Sequence, residues 1–105
     1  MWRMKKMSNK TPFKITNDDS DAIVVISAHK VTLKEAQDFV DGYVQVVTLR
    51  DKSQVLMNED GRSRDGKVLP QNKAGTAMLA GEGVRIAVHG ILGNVLILRN
   101  EHRWN

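Results

Sequence analysis

Residues 42–58 read GYVQVVTLRDKSQVLMN, two short runs rich in β-branched residues on either side of the polar triplet Asp51-Lys52-Ser53. β-Branched runs of this length are typical of strands, and a short polar loop between two of them is typical of an antiparallel hairpin. The sequence therefore predicts strands over residues 43–50 and 54–58. We take this hairpin as the element around which the rest of the chain folds.

A helix is predicted directly before the hairpin. Thr32-Leu33-Lys34-Glu35 fits a capping box, in which the threonine hydroxyl and the glutamate carboxylate each accept from the other residue's backbone N–H. The apolar residues after it recur at helical spacing and predict one buried face: Leu33, Ala36, Phe39 and Val40. We expect Gly42 to take the left-handed conformation that ends the helix.

The segments before this helix predict two strands. Residues 13–16 are expected to form a short edge strand, followed by a polar loop at residues 17–21. Residues 22–27 read AIVVIS, a β-branched run that favours a central strand buried on both faces.

Beyond the hairpin, the turn dipeptides Asp60-Gly61 and Asp65-Gly66 predict an exposed loop that leads to a short strand at residues 67–69. A second, shorter helix is expected over residues 72–80 with Asn72 as its N-cap. Residues 84–88 and 95–98 are expected to be the last two strands, and residues 99–105 are expected to fray. The fold class predicted is α+β, a mainly antiparallel sheet of about five strands with one firm and one short helix packed on it.

The composition indicates a single domain. A chain of 105 residues with 41% hydrophobic residues can bury one modest core. We expect a flexible basic arm at residues 1–12, one domain at residues 13–99 and a C-terminal tail at residues 100–105. Residues 1–14 carry five positive charges and no acid, whereas the whole chain has a net charge of +4. No apolar run approaches the length of a membrane span and no signal peptide is apparent, which favours a cytoplasmic protein.

The sequence holds none of the common catalytic, metal-binding or nucleotide-binding motifs. It has no cysteine, and His29, His89 and His102 lie too far apart in sequence for a metal-ligand pair. Gly81-Glu82-Gly83 precedes a predicted strand, whereas a dinucleotide fingerprint follows one. We therefore predict no catalytic residue, no metal and no cofactor.

One polar cluster remains as a candidate site beside the hairpin. The cluster consists of Asn58, Glu59, Asp60, Arg62, Arg64, Asn72 and Lys73. The predicted ligand-binding or partner-binding residues are these without Asp60, together with Tyr43, whose hydroxyl could lie at the surface after the glycine that ends the helix. Arginine can bind a phosphate or carboxylate through two hydrogen bonds, so these residues fit a groove for a polar, anionic ligand. The alternative is purely structural. In it Asn58 and Asn72 cap turns, Tyr43 belongs to the core, and the charged side chains only make a long loop soluble.

The order of four motifs resembles an uncharacterised family of small phage and bacterial proteins, filed as a domain of unknown function. The motifs are the Gly42-Tyr43 strand, NEDGR at residues 58–62, LPQNKA at residues 69–74 and ILGNVLI at residues 91–97. Gly75 departs from the pattern, since the family's helix keeps an alanine closer to the asparagine. The resemblance implies a phage or mobile-element origin, and hence the cytoplasm of a bacterial host cell, and it brings no catalytic residues.

Three functional hypotheses follow. The first is a small non-enzymatic phage accessory protein that binds a host or defence component, either a protein surface or a small anionic ligand such as a nucleotide signal. The second is nucleic-acid binding through the basic arm and four loop cations, Arg62, Arg64, Lys67 and Lys73. The third is an enzyme with Glu59 or Asp60 as general base. A homodimer formed by pairing sheet edges is also plausible.

Overall fold

The computed structural model describes residues 13–16, as backbone, and residues 22–104. The elements are β1 (Phe13–Thr16), β2 (Ile23–Ile26), α1 (Leu33–Val40), β3 (Val44–Thr48), β4 (Gln54–Asn58), α2 (Lys73–Gly81), β5 (Val95–Leu98) and a 3-10 turn (Asn100–His102). The predicted arm at residues 1–12 and the predicted loop at residues 17–21 lie outside the described residues.

The strands form one mixed sheet in the order β1-β2-β5-β4-β3. Three of the neighbouring pairs are antiparallel, and β2 runs parallel to β5. The predicted α+β class, the hairpin of β3 with β4 and the edge position of β1 are confirmed. The predicted mainly antiparallel sheet of about five strands is confirmed in part: most pairs are antiparallel, but the sheet is mixed, because β2 and β5 pair in parallel.

A helix packs on each face of the sheet. The α1 face buries one apolar cluster: Val31, Ala36, Leu56, Leu96 and Leu98. The α2 face buries the other: Val24, Val55, Met57, Leu79, Ile91, Val95 and Ile97. All four residues of β5 are buried, because alternate side chains of this strand reach the two clusters. The central strand buried on both faces is thus β5, not β2, in which only Val24 is fully buried.

Helix α1 begins with the predicted capping box. Thr32 Oγ1 accepts from the Glu35 backbone N–H at 3.1 Å, and Glu35 Oε1 accepts from the Thr32 N–H at 2.8 Å. The left-handed residue at its end is Asp41, with φ 61°, and not Gly42 as predicted. Glycine is still required at position 42, because a Cβ there would lie 2.6 Å from Asn58 Nδ2. Leu33, predicted to be buried, is 56% exposed at the first turn.

The predicted strand at residues 84–88 is wrong. Residues 84–87 form no ladder, although Val84 and Ile86 pack half-buried against the α2-face cluster while Val88 is fully exposed. The alternation of apolar residues here reflects a segment that lies with one side on the core. The predicted strand at residues 67–69 is reduced to one bridge between Arg62 and Val68.

The end of the described chain is packed on the sheet, contrary to the predicted fraying. Trp104 Nε1 donates to the Val31 carbonyl at 2.8 Å. The Trp104 backbone and the Gln54 side chain exchange two hydrogen bonds, with Trp104 N to Gln54 Oε1 at 2.5 Å and Gln54 Nε2 to Trp104 O at 2.8 Å. The indole thereby joins the α1-face cluster.

The capping box predicts a pH dependence of stability. The hydrogen bond from the Thr32 backbone N–H holds the pKa of Glu35 below its ordinary value of 4.5. A carboxyl with a lowered pKa in the folded state contributes stability above its unfolded pKa and loses it as the pH falls through the folded pKa. The amide oxygen of Glu35→Gln still accepts the hydrogen bond but does not titrate. Between about pH 6 and about pH 3 we therefore expect the free energy of unfolding of this variant to decrease less than that of the wild type.

Urea unfolding across this pH range measures the effect. Glu59→Gln is the matched control, since Glu59 is exposed and makes no side-chain hydrogen bond within the described part of the chain. An acid slope that is the same in all three proteins would contradict the prediction.

Candidate functional site

Asn58, the last residue of β4, is buried and uses both ends of its amide. Its Oδ1 accepts from the backbone N–H groups of Asp60 at 2.9 Å and Gly61 at 2.8 Å. Its Nδ2 contacts three carbonyl oxygens, those of Val40 at 3.0 Å, Asp41 at 3.2 Å and Arg62 at 2.9 Å. Asn58 thus connects the end of α1 with the turn after β4 through hydrogen bonds to both. Its amide is committed to backbone groups, as the turn-capping alternative proposed.

Asn72 has the same role for α2. Its Oδ1 accepts from the Gly75 N–H at 2.8 Å and caps the helix. Its Nδ2 donates to the carbonyl oxygens of Ile23 at 3.0 Å and Gly93 at 2.9 Å. Gly75 lets α2 pack closely against β5, because a Cβ at this position would lie 3.1 Å from the Val95 side chain. The Asn72 side chain is fully buried, and its amide bonds backbone groups in place of a ligand.

We expect Asn58→Ala to lower the free energy of unfolding by about 2–4 kcal/mol, because it leaves two N–H groups and up to three carbonyls near the core without their partner. Chemical denaturation at neutral pH measures this. Glu59→Ala, one residue away and exposed, should stay within about 0.5 kcal/mol of the wild type. A wild-type midpoint for Asn58→Ala would show that the amide does not hold this part of the structure.

Three of the predicted site residues meet in a groove of about 530 Å³ between the end of α1 and the turn at residues 60–66. We call it the arginine groove, and it is lined by Gln37, Gly42, Tyr43, Asp60, Arg62, Ser63, Arg64 and Gly66. Tyr43 is 69% exposed there, so it is a surface residue and not part of the core.

A small backbone hairpin over residues 61–68 presents the two arginines. The Ser63 N–H donates to the Lys67 carbonyl at 2.8 Å, and the Gly66 N–H donates to the Ser63 carbonyl at 2.9 Å. Gly66 adopts φ 87°, a left-handed conformation that turns the chain at the tip. The Ser63 hydroxyl hydrogen-bonds the Asp65 carboxylate, which lowers the pKa of Asp65.

The two arginines differ in how far their charge is compensated. Arg64 Nη2 lies 2.9 Å from Asp38 Oδ1, and this hydrogen bond, together with a weaker one from Lys34, lowers the pKa of Asp38. Arg62 Nη1 donates only to the Gly66 carbonyl, at 3.1 Å. Among the residues that the structure describes, Arg62 makes no ion pair. Its guanidinium therefore keeps N–H donors that no other described residue uses, and no carboxylate of the described residues pairs with it.

Glu59 lies on a second groove of about 330 Å³, which we call the apolar groove. Asp60 lines both grooves, whereas Glu59 lines only this one. The floor is apolar: Met57, Leu79, Val84, Ile86 and Ile91. This groove is not predicted from the sequence, because the signal that marks it, alternating apolar residues after Gly83, is equally typical of a strand. Lys73, exposed at the first position of α2, lines neither groove.

The described residues, 13–16 and 22–104, hold no group of three or more His, Asp or Glu side chains placed to bind a metal ion. Within the same residues, no helix has the length and apolarity needed to cross a bilayer. The arginine groove itself offers guanidinium donors and one exposed aromatic ring.

Comparison of the chain with protein-family models, with curated proteins and with solved structures found no significant match. The resemblance to the phage family therefore stays a prediction.

Proposed function

We propose that this protein acts by binding and not by catalysis, and that the arginine groove receives an anionic group of the ligand. The observation that carries the proposal is Arg62, a cation without an ion pair in the described part of the chain, in one concavity with Arg64 and the exposed ring of Tyr43. If the phage origin implied by the resemblance holds, the ligand belongs to the host or to its defences, either a nucleotide signal or an acidic protein surface.

The dimensions and chemistry of the groove support a small anionic ligand. Its volume of about 530 Å³ lies within the range of small-molecule sites. Guanidinium groups recognise phosphate and carboxylate through paired hydrogen bonds, and an exposed aromatic face can stack on a nucleotide base. Asp60 also lines the groove and would repel a second negative charge, which favours a ligand with its charge at one end.

The two arginines are expected to contribute unequally. An anion that binds Arg64 has to compete with Asp38, whereas one that binds Arg62 displaces only a contact to a backbone carbonyl. Arg62 is therefore the residue on which affinity should depend most.

We expect Arg62→Ala to lower the affinity for a phosphate-bearing probe by about tenfold or more, the usual effect of losing a charge-assisted hydrogen bond. Calorimetric titration with ATP and with a cyclic nucleotide would measure the change. Lys67→Ala is the matched control: it removes one positive charge from the same small hairpin, but Lys67 is not among the residues lining the groove. Its affinity should remain within about twofold of the wild type.

Nucleic-acid binding is the second candidate, because Arg62, Arg64 and Lys67 are all exposed on the hairpin over residues 61–68. In that case binding depends on total charge. Lys67→Ala would weaken binding to a single-stranded oligonucleotide as much as Arg62→Ala does, and log affinity would fall steeply with log salt concentration. A weak salt dependence, together with a larger effect of Arg62→Ala than of Lys67→Ala, would exclude nucleic-acid binding and favour the small anionic ligand.

Catalysis by Glu59 is the outcome that would overturn a binding role. Glu59 lies on the apolar groove, away from the residues that would hold the anion. Turnover of a nucleotide or peptide by the pure protein, lost in Glu59→Gln, would replace the proposal with an enzyme.

A further inference from the structure

Strand β3 is an outer strand with one side unpaired. It lies at the end of the sheet order opposite β1 and pairs with β4. No strand lies on its other side among the described residues. Pairing along this side does not depend on the function proposed for the arginine groove, although Tyr43 lines that groove and directly precedes β3.

The ladder with β4 shows which backbone groups of β3 point outward. The Glu59 N–H donates to the Tyr43 carbonyl at 2.9 Å, and the Leu49 N–H donates to the Ser53 carbonyl at 2.8 Å. Hydrogen-bonded pairs alternate along an antiparallel ladder, so residues 43, 45, 47 and 49 bond to β4. The N–H and C=O groups of Val44, Val46 and Thr48 therefore face away from the sheet.

This edge lacks the features that usually prevent two sheets from pairing. Natural edge strands are protected by lysine, proline or a bulge. The sequence of β3, VQVVT, contains no charge and no proline, and its five residues pair with β4 without a bulge. Val46, in the middle of the strand, is 42% exposed.

We infer that the open edge of β3 pairs antiparallel with β3 of a second copy of this chain, with the two-fold axis at Val46. In this register Val46 lies opposite Val46 of the second copy, and Val44 lies opposite Thr48. All three outward-facing residues then fall in hydrogen-bonded pairs, because an antiparallel ladder bonds every second pair. The two sheets become one continuous sheet across the axis.

The side chains are compatible with a second copy as the occupant. Over residues 43–49 the two-fold register brings no charged residue opposite another, since the stretch YVQVVTL is neutral. Its contacts are Val46 with Val46, Val44 with Thr48, Gln45 with Val47 and Tyr43 with Leu49. Aromatic–aliphatic and β-branched pairs of this kind stabilise adjacent strands. A five-residue edge makes a small interface, so we expect a weak, reversible dimer.

Sedimentation velocity of the full chain tests the inference, over concentrations from about 10 μM to about 1 mM, the range of a small interface. The wild type should change from monomer to dimer. Val46→Lys places two positive charges at the axis and should raise the dimer dissociation constant more than about tenfold. Val68→Lys makes the same change at another exposed valine and should dimerise like the wild type. Circular dichroism confirms that each variant is folded.

A cross-link tests the register, because the chain has no cysteine of its own. The Cα atoms of a hydrogen-bonded pair lie about 5.5 Å apart, within disulfide range, so Val46→Cys should form a disulfide-linked dimer under mild oxidation. Val68→Cys should do so at least about tenfold more slowly. A wild type that stays monomeric, a Val46→Lys variant that dimerises normally, or equal rates of cross-linking would each overturn the inference.

Discussion

The structure depends on two buried asparagine amides that satisfy the backbone where helices meet the sheet. An amide carries an acceptor and two donors on one rigid group, so a single side chain can bond the ends of several elements at once. Asn58 bonds the end of α1 and the turn after β4, and Asn72 bonds the start of α2, β2 and the turn before β5. Without them, these buried N–H and C=O groups would have no partner.

This constraint also shapes the arginine groove. Asn58 Nδ2 lies close to Gly42 and donates to the Arg62 carbonyl, and both of these residues line the groove. Asn58 thereby connects the two segments that carry Tyr43 and Arg62. The turn after β4 thus contains both the buried amide of Asn58 and residues that line the arginine groove. Asn58 is buried, whereas most of the polar residues that follow it in this turn are exposed.

Features set by local chemistry could be predicted from the sequence. The capping box at Thr32, the hairpin and the N-cap at Asn72 each depend on residues a few positions apart, and all three are present. The parallel pairing of β2 with β5 could not be predicted, because it joins segments about seventy positions apart. The segment after Gly83 alternates as a strand does, yet it forms no ladder with any strand of the described residues.

The candidate site was predicted in part, for a similar reason. Sequence marks Asn58 as a polar residue at a turn, but an asparagine that binds a ligand and one that bonds backbone look the same until its partners are known. Only the fold shows that Tyr43 and Arg62 share a groove while Glu59 lines another. The docking of Trp104 beside Val31 likewise joins residues from opposite ends of the domain.

The most direct test of the account is a nuclear magnetic resonance titration of the isotope-labelled chain with inorganic pyrophosphate. We expect saturable shifts of the Arg62 side-chain Nε–H and the Tyr43 ring, with Glu59 and the apolar groove unaffected. Shifts spread evenly over all exposed lysines and arginines, or none at the arginine groove, would contradict it.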